Sequence, residues 1–403
     1  MKKVILCASA LMLGAAAFAQ SNESDVSQTG NDNLSAVSQV GADNLSGVTQ
    51  TGDDNDSDVM QDGTINRSSV NQLGDANTSV VSSTGRLNSS QVQQVYNGND
   101  SEVTQNGSQN GSRVLQGFVN SGGTVSRVGN FNTSTVSQDG FRNSSLVRQQ
   151  ALSSDPSEYN VSSVDQIGDL NNSTVDQIGD YNVSDVDQAG VSHLSIVSQT
   201  GSDNDADVDQ FAASNIAEIT QNGNLNTASI LQNRSGDVVA TNQAYQTQIG
   251  NSNTADIVQD SPFANGAGQG TLNSIATQMQ QGDFNTATIT QANSNHTASQ
   301  TQVGDSNIAD DLQKGASQTS TVMQVGDSNE SYTVQNGFGH ISEVTQTGVS
   351  NLSTVNQTGG ASQSYVIQGG DANDSWVMQS GNMQMSTVTQ MGNMNTSTVT
   401  QTN

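Results

Sequence analysis

Asn33-Leu-Ser35-Ala-Val37-Ser-Gln39-Val-Gly41-Ala-Asp43 is followed at once by Asn44-Leu-Ser46-Gly-Val48-Thr-Gln50-Thr-Gly52-Asp-Asp54. Each stretch is 11 residues long, and both fit one frame, Asn-x-Ser-x-Val-x-Gln-x-Gly-x-x. The leading Asn returns at Asn22, Asn55, Asn66, Asn77, Asn88, Asn99 and Asn110 without a slip. A fixed period along a whole chain builds a stacked array in which each unit leans on its neighbours, not a globule folded around a pocket.

An 11-residue period also suits a right-handed helical coiled coil. The pattern inside the unit rejects that reading. Its signature letters fall at places one, three, five and seven, the two-residue alternation of a strand. The fifth place is mostly β-branched Val or Ile, and most units carry a Gly that would cost a helix about 1 kcal/mol. Each unit therefore reads as a strand followed by a short turn, often Gly-Asp-x-Asn as in Gly74-Asp75-Ala76-Asn77.

The units number 33. They run from Asn22 to the unit opening at Asn143, from Asn160 to that at Asn226, then at Asn242, Asn253 and Asn273, and finally from Asn285 to that at Asn395. Gln holds the seventh place in 30 of the 33, yielding only to Ser83, Arg127 and Met279, so it is the most constrained letter. The expected organisation is a signal peptide at 1–19 and solenoid repeats at 20–153, 160–236, 242–263 and 273–403, with insertions at 154–159, 237–241 and 264–272. Both prolines, Pro156 and Pro262, lie at these breaks, where a missing N–H interrupts no ladder.

The expected fold class is all-β, a single β-solenoid of strand–turn units. Places one, three, five and seven face inward, and the other face carries Asp, Ser, Thr and Asn of no fixed identity. One Val per strand cannot offset the ordering of that strand, so the units must stack. Two units per coil would give about 16 rungs ~4.8 Å apart, a rod of roughly 80 Å; the period itself leaves two or three strands per coil open. Gln28, Gln39, Gln50, Gln61, Gln72, Gln166, Gln177, Gln188 and Gln199 are expected to form amide ladders along the axis, as are Asn33, Asn44, Asn55 and Asn66. Val37, Val48, Val59 and Val70 are the matching apolar stripe. A stacked amide satisfies its own polar groups, which explains Gln rather than Leu at a buried place. Two local stresses follow. Gln300 and Asp311 fall on the inward Val place, marking weak rungs between His296 and Gln318, and alternate members of Asp165, Asp176, Asp187 and Asp209 stack as like charges.

Lys2 and Lys3, the apolar run Val4–Ala17 and Ala17-Phe18-Ala19 predict a secretory signal peptide cut before Gln20. The single cysteine, Cys7, lies inside it, so the exported chain has neither disulfides nor thiolate metal sites. No other stretch is apolar enough to cross a membrane as a helix, and neither strand face is apolar enough for a lipid-facing barrel. With 38 acidic against 10 basic residues, binding to phosphate backbones is not expected.

His193, His296 and His340 each take the leading place of a unit, and even the nearest pair is about two rungs (~10 Å) apart, too far to share a metal ion. The Gly-Asp turns could line up as a calcium column, though Asp favours such turns on backbone grounds alone. Gly266-Ala-Gly268-Gln-Gly270 reads as an insertion loop, with no flanking strand and helix to make it a phosphate cradle. No acid–base pair or nucleophile with an adjacent histidine can be assembled, so neither enzyme activity nor a cofactor is expected.

The units from Val164-Asp-Gln166-Ile-Gly168 to Val186-Asp-Gln188-Ala-Gly190, behind a bacterial-type signal peptide, resemble the curlin family, the major and the minor, nucleator-type subunits of curli amyloid fibres. The resemblance covers essentially the whole exported chain. It implies a solenoid of two strands per coil and secretion through an outer-membrane pore. It also implies self-assembly, with itself and with other curlin subunits, into extracellular cell-surface fibres for adhesion and biofilm. The alternative is a monomeric secreted solenoid that binds ice, carbohydrate or calcium.

Overall fold

The computed structural model describes residues 21–119, 125–127, 129–151, 159–233, 241–260 and 273–402. The expected signal peptide at 1–19 and the expected insertion at 264–272 lie outside the described residues, as do the expected insertions 154–159 and 237–241 apart from Tyr159 and Thr241. Among the described residues there is no helix. Two parallel sheets of 16 strands each face one another, with successive units alternating between them. The first sheet opens with Glu23–Thr29 and the second with Leu34–Ala42. The molecule is a β-solenoid of about 16 coils with two strands per coil.

Each strand pairs with the strand one coil on, with like letters opposed: Val26 with Val48, Val48 with Val70, Gln28 with Gln50. The alternation read from the sequence is the burial pattern. Asn55, Ser57, Val59 and Gln61 are all 0 % exposed, while Asp56, Asp58 and Met60 between them face solvent. Val and Ile of the two sheets meet in a narrow core, each contributing roughly 1.5–3 kcal/mol by burial. The turn glycine is required by the stacking itself. At Gly63 φ is +128°, and a Cβ would stand 1.9 Å from the carbonyl oxygen of Gly85 in the next coil.

Two details differ from the sequence reading. The unit opening at Ser121 is not in the stack: Asp100–Ser108 pairs with Thr133–Phe141, and Gly111–Gln116 with Ser144–Gln150, passing it by. Part of that unit, Val125–Arg127, instead forms a short antiparallel hairpin with Phe118–Val119. Its seventh letter is Arg127, and an inward guanidinium would put a charge without a partner into the amide ladder. The second difference is register. The unit assigned to Asn273 opens at Ser274, because Ile275–Gln281 pairs with Gln243–Ile249 so that Ala276 meets Ala244 and Gln280 meets Gln248. A one-residue slip would exchange every side chain between faces, sending Met279 into the ladder in place of Gln280. Amide pairing in this coil outweighs the preference for a leading Asn, and Met279 faces solvent.

Candidate functional site: the amide ladders

Strand alternation places every seventh-place Gln at the same height, and parallel pairing sets its amide directly over the next. In the first sheet Gln28 Nε2 donates to Gln50 Oε1 at 2.6 Å, Gln50 to Gln72 at 2.8 Å, and Gln177 to Gln199 at 2.9 Å. In the second, Gln39 donates to Gln61 and Gln166 to Gln188, both at 2.8 Å. Each Nε2 has a further proton, which crosses to the opposite sheet: Gln50 also donates to the backbone carbonyls of Leu34 at 2.8 Å and Asn55 at 3.2 Å. One side chain thus ties successive coils together and clamps the two sheets.

The leading Asn works in the opposite direction. Asn55 donates from both its backbone N–H and Nδ2 to Asn33 Oδ1 at 3.0 Å, and Nδ2 also reaches the Gly74 carbonyl at 2.7 Å. In the first sheet the backbone N–H of Asn66 donates to Asn44 Oδ1 at 3.0 Å. Gln donors therefore point toward higher residue numbers and Asn donors toward lower ones. Val48 and Val70 in one sheet and Val37 and Val59 in the other lie between the two amide columns, with Val37 only partly buried in the outermost coil.

The two sheets divide the perfection of these ladders. The first has Gln at all 16 ladder positions from Gln28 to Gln390, joined without a gap. The second is interrupted at Ser83, whose hydroxyl reaches Gln105 Oε1 at 3.3 Å. Conversely, every strand of the second sheet is led by Asn, from Asn33 to Asn395, whereas His193, Ser274, His296, Gln318, His340, Ser362 and Gln384 replace Asn in the first. Two of the histidines serve as Asn surrogates. His193 Nδ1 accepts the Asn215 N–H at 3.4 Å and His340 Nδ1 that of Ser362 at 3.3 Å. Burial lowers the pKa of His193 to about 4, so it is neutral at physiological pH.

A third ladder escaped the sequence reading. At the turn leaving the first sheet, the Asn31 N–H donates to Asp53 Oδ1 at 2.7 Å, the Asp53 N–H to Asp75 Oδ1 at 2.8 Å, and the Asp75 N–H to Asn97 Oδ1 at 2.8 Å. The same chain runs through Asp283, Asp305 and Asp327. The Gly-Asp turns thus spend their carboxylates on the neighbouring coil. The available signal was a 22-residue period, Gly52-Asp53 to Gly74-Asp75 and Gly282-Asp283 to Gly304-Asp305. Among the described residues, no group of three His, Asp or Glu side chains is arranged to hold a metal ion.

Two acidic sites stand out. Asp165, Asp187 and Asp209 stack in register on the outer face of the second sheet, beside Asp185 and Asp207. Asp187 and Asp207 are each pushed up to about 6, by partial burial first and by the neighbouring carboxylates second. Asp176 lies in the other sheet and pairs with Arg148 at 2.8 Å. Inside, Asp311 is fully buried at the Val place, and neither carboxylate oxygen has a partner at hydrogen-bonding geometry. Burial raises it to about 7, against a smaller opposing effect of the Ser320 hydroxyl.

The sequence profile of the curlin associated repeat matches at residues 19–52, 30–63 and 184–211. No curated protein gives a significant match. The matched windows fall on coils whose ladders continue unchanged through most of the stack, which supports a curlin-family repeat protein.

Proposed function

We propose that the chain is a secreted structural subunit that polymerises with itself, and with other curlin subunits, into extracellular fibres serving adhesion and biofilm matrix. The observation that carries this reading is the state of the outermost strands. Glu23–Thr29 and Met385–Met391 edge one sheet, Leu34–Ala42 and Thr396–Thr402 the other, and each repeats the Ser-x-Val-x-Gln pattern of the interior. Such edges template further strands. Their amides are complementary. The low-numbered edge offers Gln acceptors and Asn donors, and the high-numbered edge the Gln390 and Gln401 donors and the Asn395 acceptor, so a second copy added head to tail continues the Gln ladder in both sheets and the Asn ladder in the second. Export through an outer-membrane pore, as the resemblance to curlins implies, fits a chain that orders only on stacking. Thioflavin-positive fibres that seed their own growth are the expected result. A monodisperse monomer that binds ice, carbohydrate or calcium instead would replace this reading with the solenoid-binder one.

A further inference from the structure

Three aromatic rings stack in successive coils at the turn leaving the first sheet. The Phe131 and Tyr159 ring centroids are 5.0 Å apart with planes 10° from parallel, and those of Tyr159 and Tyr181 are 5.3 Å apart at 14°. All three residues hold left-handed backbone, φ between 50° and 57°, immediately before a leading Asn, so the rings project from one fixed line on the rod. They remain open to solvent, with Tyr159 43 % and Tyr181 50 % exposed. We propose that Tyr159 and Tyr181 are an oxidative coupling site, at which a peroxidase-type oxidant joins the two phenols into a biphenol linking neighbouring coils.

The chemistry needs two phenols held face to face and reachable by a one-electron oxidant. Each phenol gives up its O–H hydrogen as a proton and an electron, leaving two phenoxyl radicals. The radicals pair through the ring carbons ortho to oxygen, forming one C–C bond. The two ortho hydrogens then move to the oxygens and restore both phenols. Two hydrogens are lost in all, and one equivalent of hydrogen peroxide takes them up to give two waters. Phe131 caps the other face of Tyr159 and cannot enter the reaction, so coupling stops at one pair.

The remaining described tyrosines lack this arrangement: Tyr96 lies over Gly74 of the preceding coil, outside the ring stack, and the other three stand on strands between non-aromatic neighbours. Tyr245 stands in register with Glu218 and Thr277, Tyr332 with Asp310 and Thr354, and Tyr365 with Glu343 and Thr387. Their hydroxyls donate to Gln243, Glu330 and Gln363 on their own strands. The link would close a 22-residue loop across the coils opening at Asn160 and Asn182. It forms within one chain and does not depend on fibre growth.

The test is to treat the folded full chain, over a tenfold range of concentration, with a haem peroxidase and hydrogen peroxide, then map biphenol cross-links by mass spectrometry of a protease digest. A Tyr159–Tyr181 link as the main product, at a yield independent of concentration, is the expected result. Tyr159→Phe and Tyr181→Phe keep the ring stack and should each abolish it, whereas Tyr365→Phe should leave it unchanged. No cross-link, a main product between other tyrosines, or an undiminished yield in Tyr181→Phe would overturn the proposal. Failure of the untreated chain to form fibres would count only against the assembly reading.

Discussion

The coils built on Val164, Val175, Val186 and Val197 and those built on Gln300, Asp311 and Thr333 share one backbone, but their cores differ in kind. In the first region the apolar column is continuous. In the second it stops at Ala298 and resumes at Ala309, with Asp311 between Ile289 and Thr333 in its sheet. The Gln ladder runs past this break undisturbed, Gln291 to Gln313 at 2.9 Å and Gln313 to Gln335 at 3.0 Å. Gln300, inward in the facing sheet, sends its Nε2 to the Thr288 carbonyl at 2.9 Å. The contrast teaches that the amide columns and backbone set the register, while the Val column supplies much of the stability and can lapse locally.

Converting the first region into the second should give the largest effect. Val186 is fully buried between Val164 and Val208, and Val186→Asp should cost on the order of 4 kcal/mol in a denaturation midpoint and block assembly. The outward Ser198→Asp, beside Asp176, should cost about 1 kcal/mol or less. Equal losses would mean that the faces are reversed.

The reverse conversion, Asp311→Val, should stabilise the weak coils and remove their pH dependence. The folded pKa of Asp311, about 7, lies above the unfolded value of 3.8, so folding takes up protons between them. Its coils are strongest below the unfolded value, weaken as pH rises toward 7, and level off above it. Hydrogen exchange on the assembled form near pH ~8 should therefore open Thr297–Thr333 before Ser342–Gln401, and the difference should shrink near pH ~5. Uniform protection at both pH values would remove the distinction between the regions.

A smaller effect sits on the outer face of the strong region. Asp187 and Asp207, raised to about 6, carry charge at neutral pH that acid removes. Acidifying from pH ~7.5 to ~5 should speed assembly followed by turbidity, as should added salt. Asp187→Asn with Asp207→Asn should flatten the pH response, and a rate that falls in acid would show that this column does not oppose stacking.

The smallest effect tests the third place. Ser184 is buried and its hydroxyl has no partner, whereas the corresponding place in the next coil of its sheet is Ala206. Ser184→Ala should leave stability unchanged or raise it by up to about 1 kcal/mol in thermal unfolding; a clear loss would reveal a hydroxyl contact that the third place needs.

What was legible in the sequence was whatever the chain states many times. Alternation of Asn, Ser, Val and Gln marked the inner face, Gly marked the turn, and the lapse at Asp311 stood out against a uniform background. Decisions made once were harder to read. The Ser121 unit departs from the frame at Arg127 as Asn77's unit does at Ser83, and the letter alone does not say which of the two leaves the stack; the start at Ser274 could not be read because an insertion had reset the phase and Asn273 offered a competing start. The turn carboxylate ladder went unread for another reason. Its period spans two units, and it becomes visible only when a coil is known to contain two strands.

Because a coil takes two units, every unit has a parity, and leaving out the one at Ser121 acts as a frameshift for all that follow. Had that unit stayed, Ser83 and the later His-, Ser- and Gln-led units would have fallen in the same sheet. The skip sends them to opposite sheets instead, so each sheet keeps one faultless column, Gln in the first and Asn in the second. Gains or losses of 22 residues are silent in this frame, and those of 11 exchange the two sheets downstream. The array can lengthen freely in coils, but a single unit can join or leave the stack only by reassigning the face of every unit beyond it.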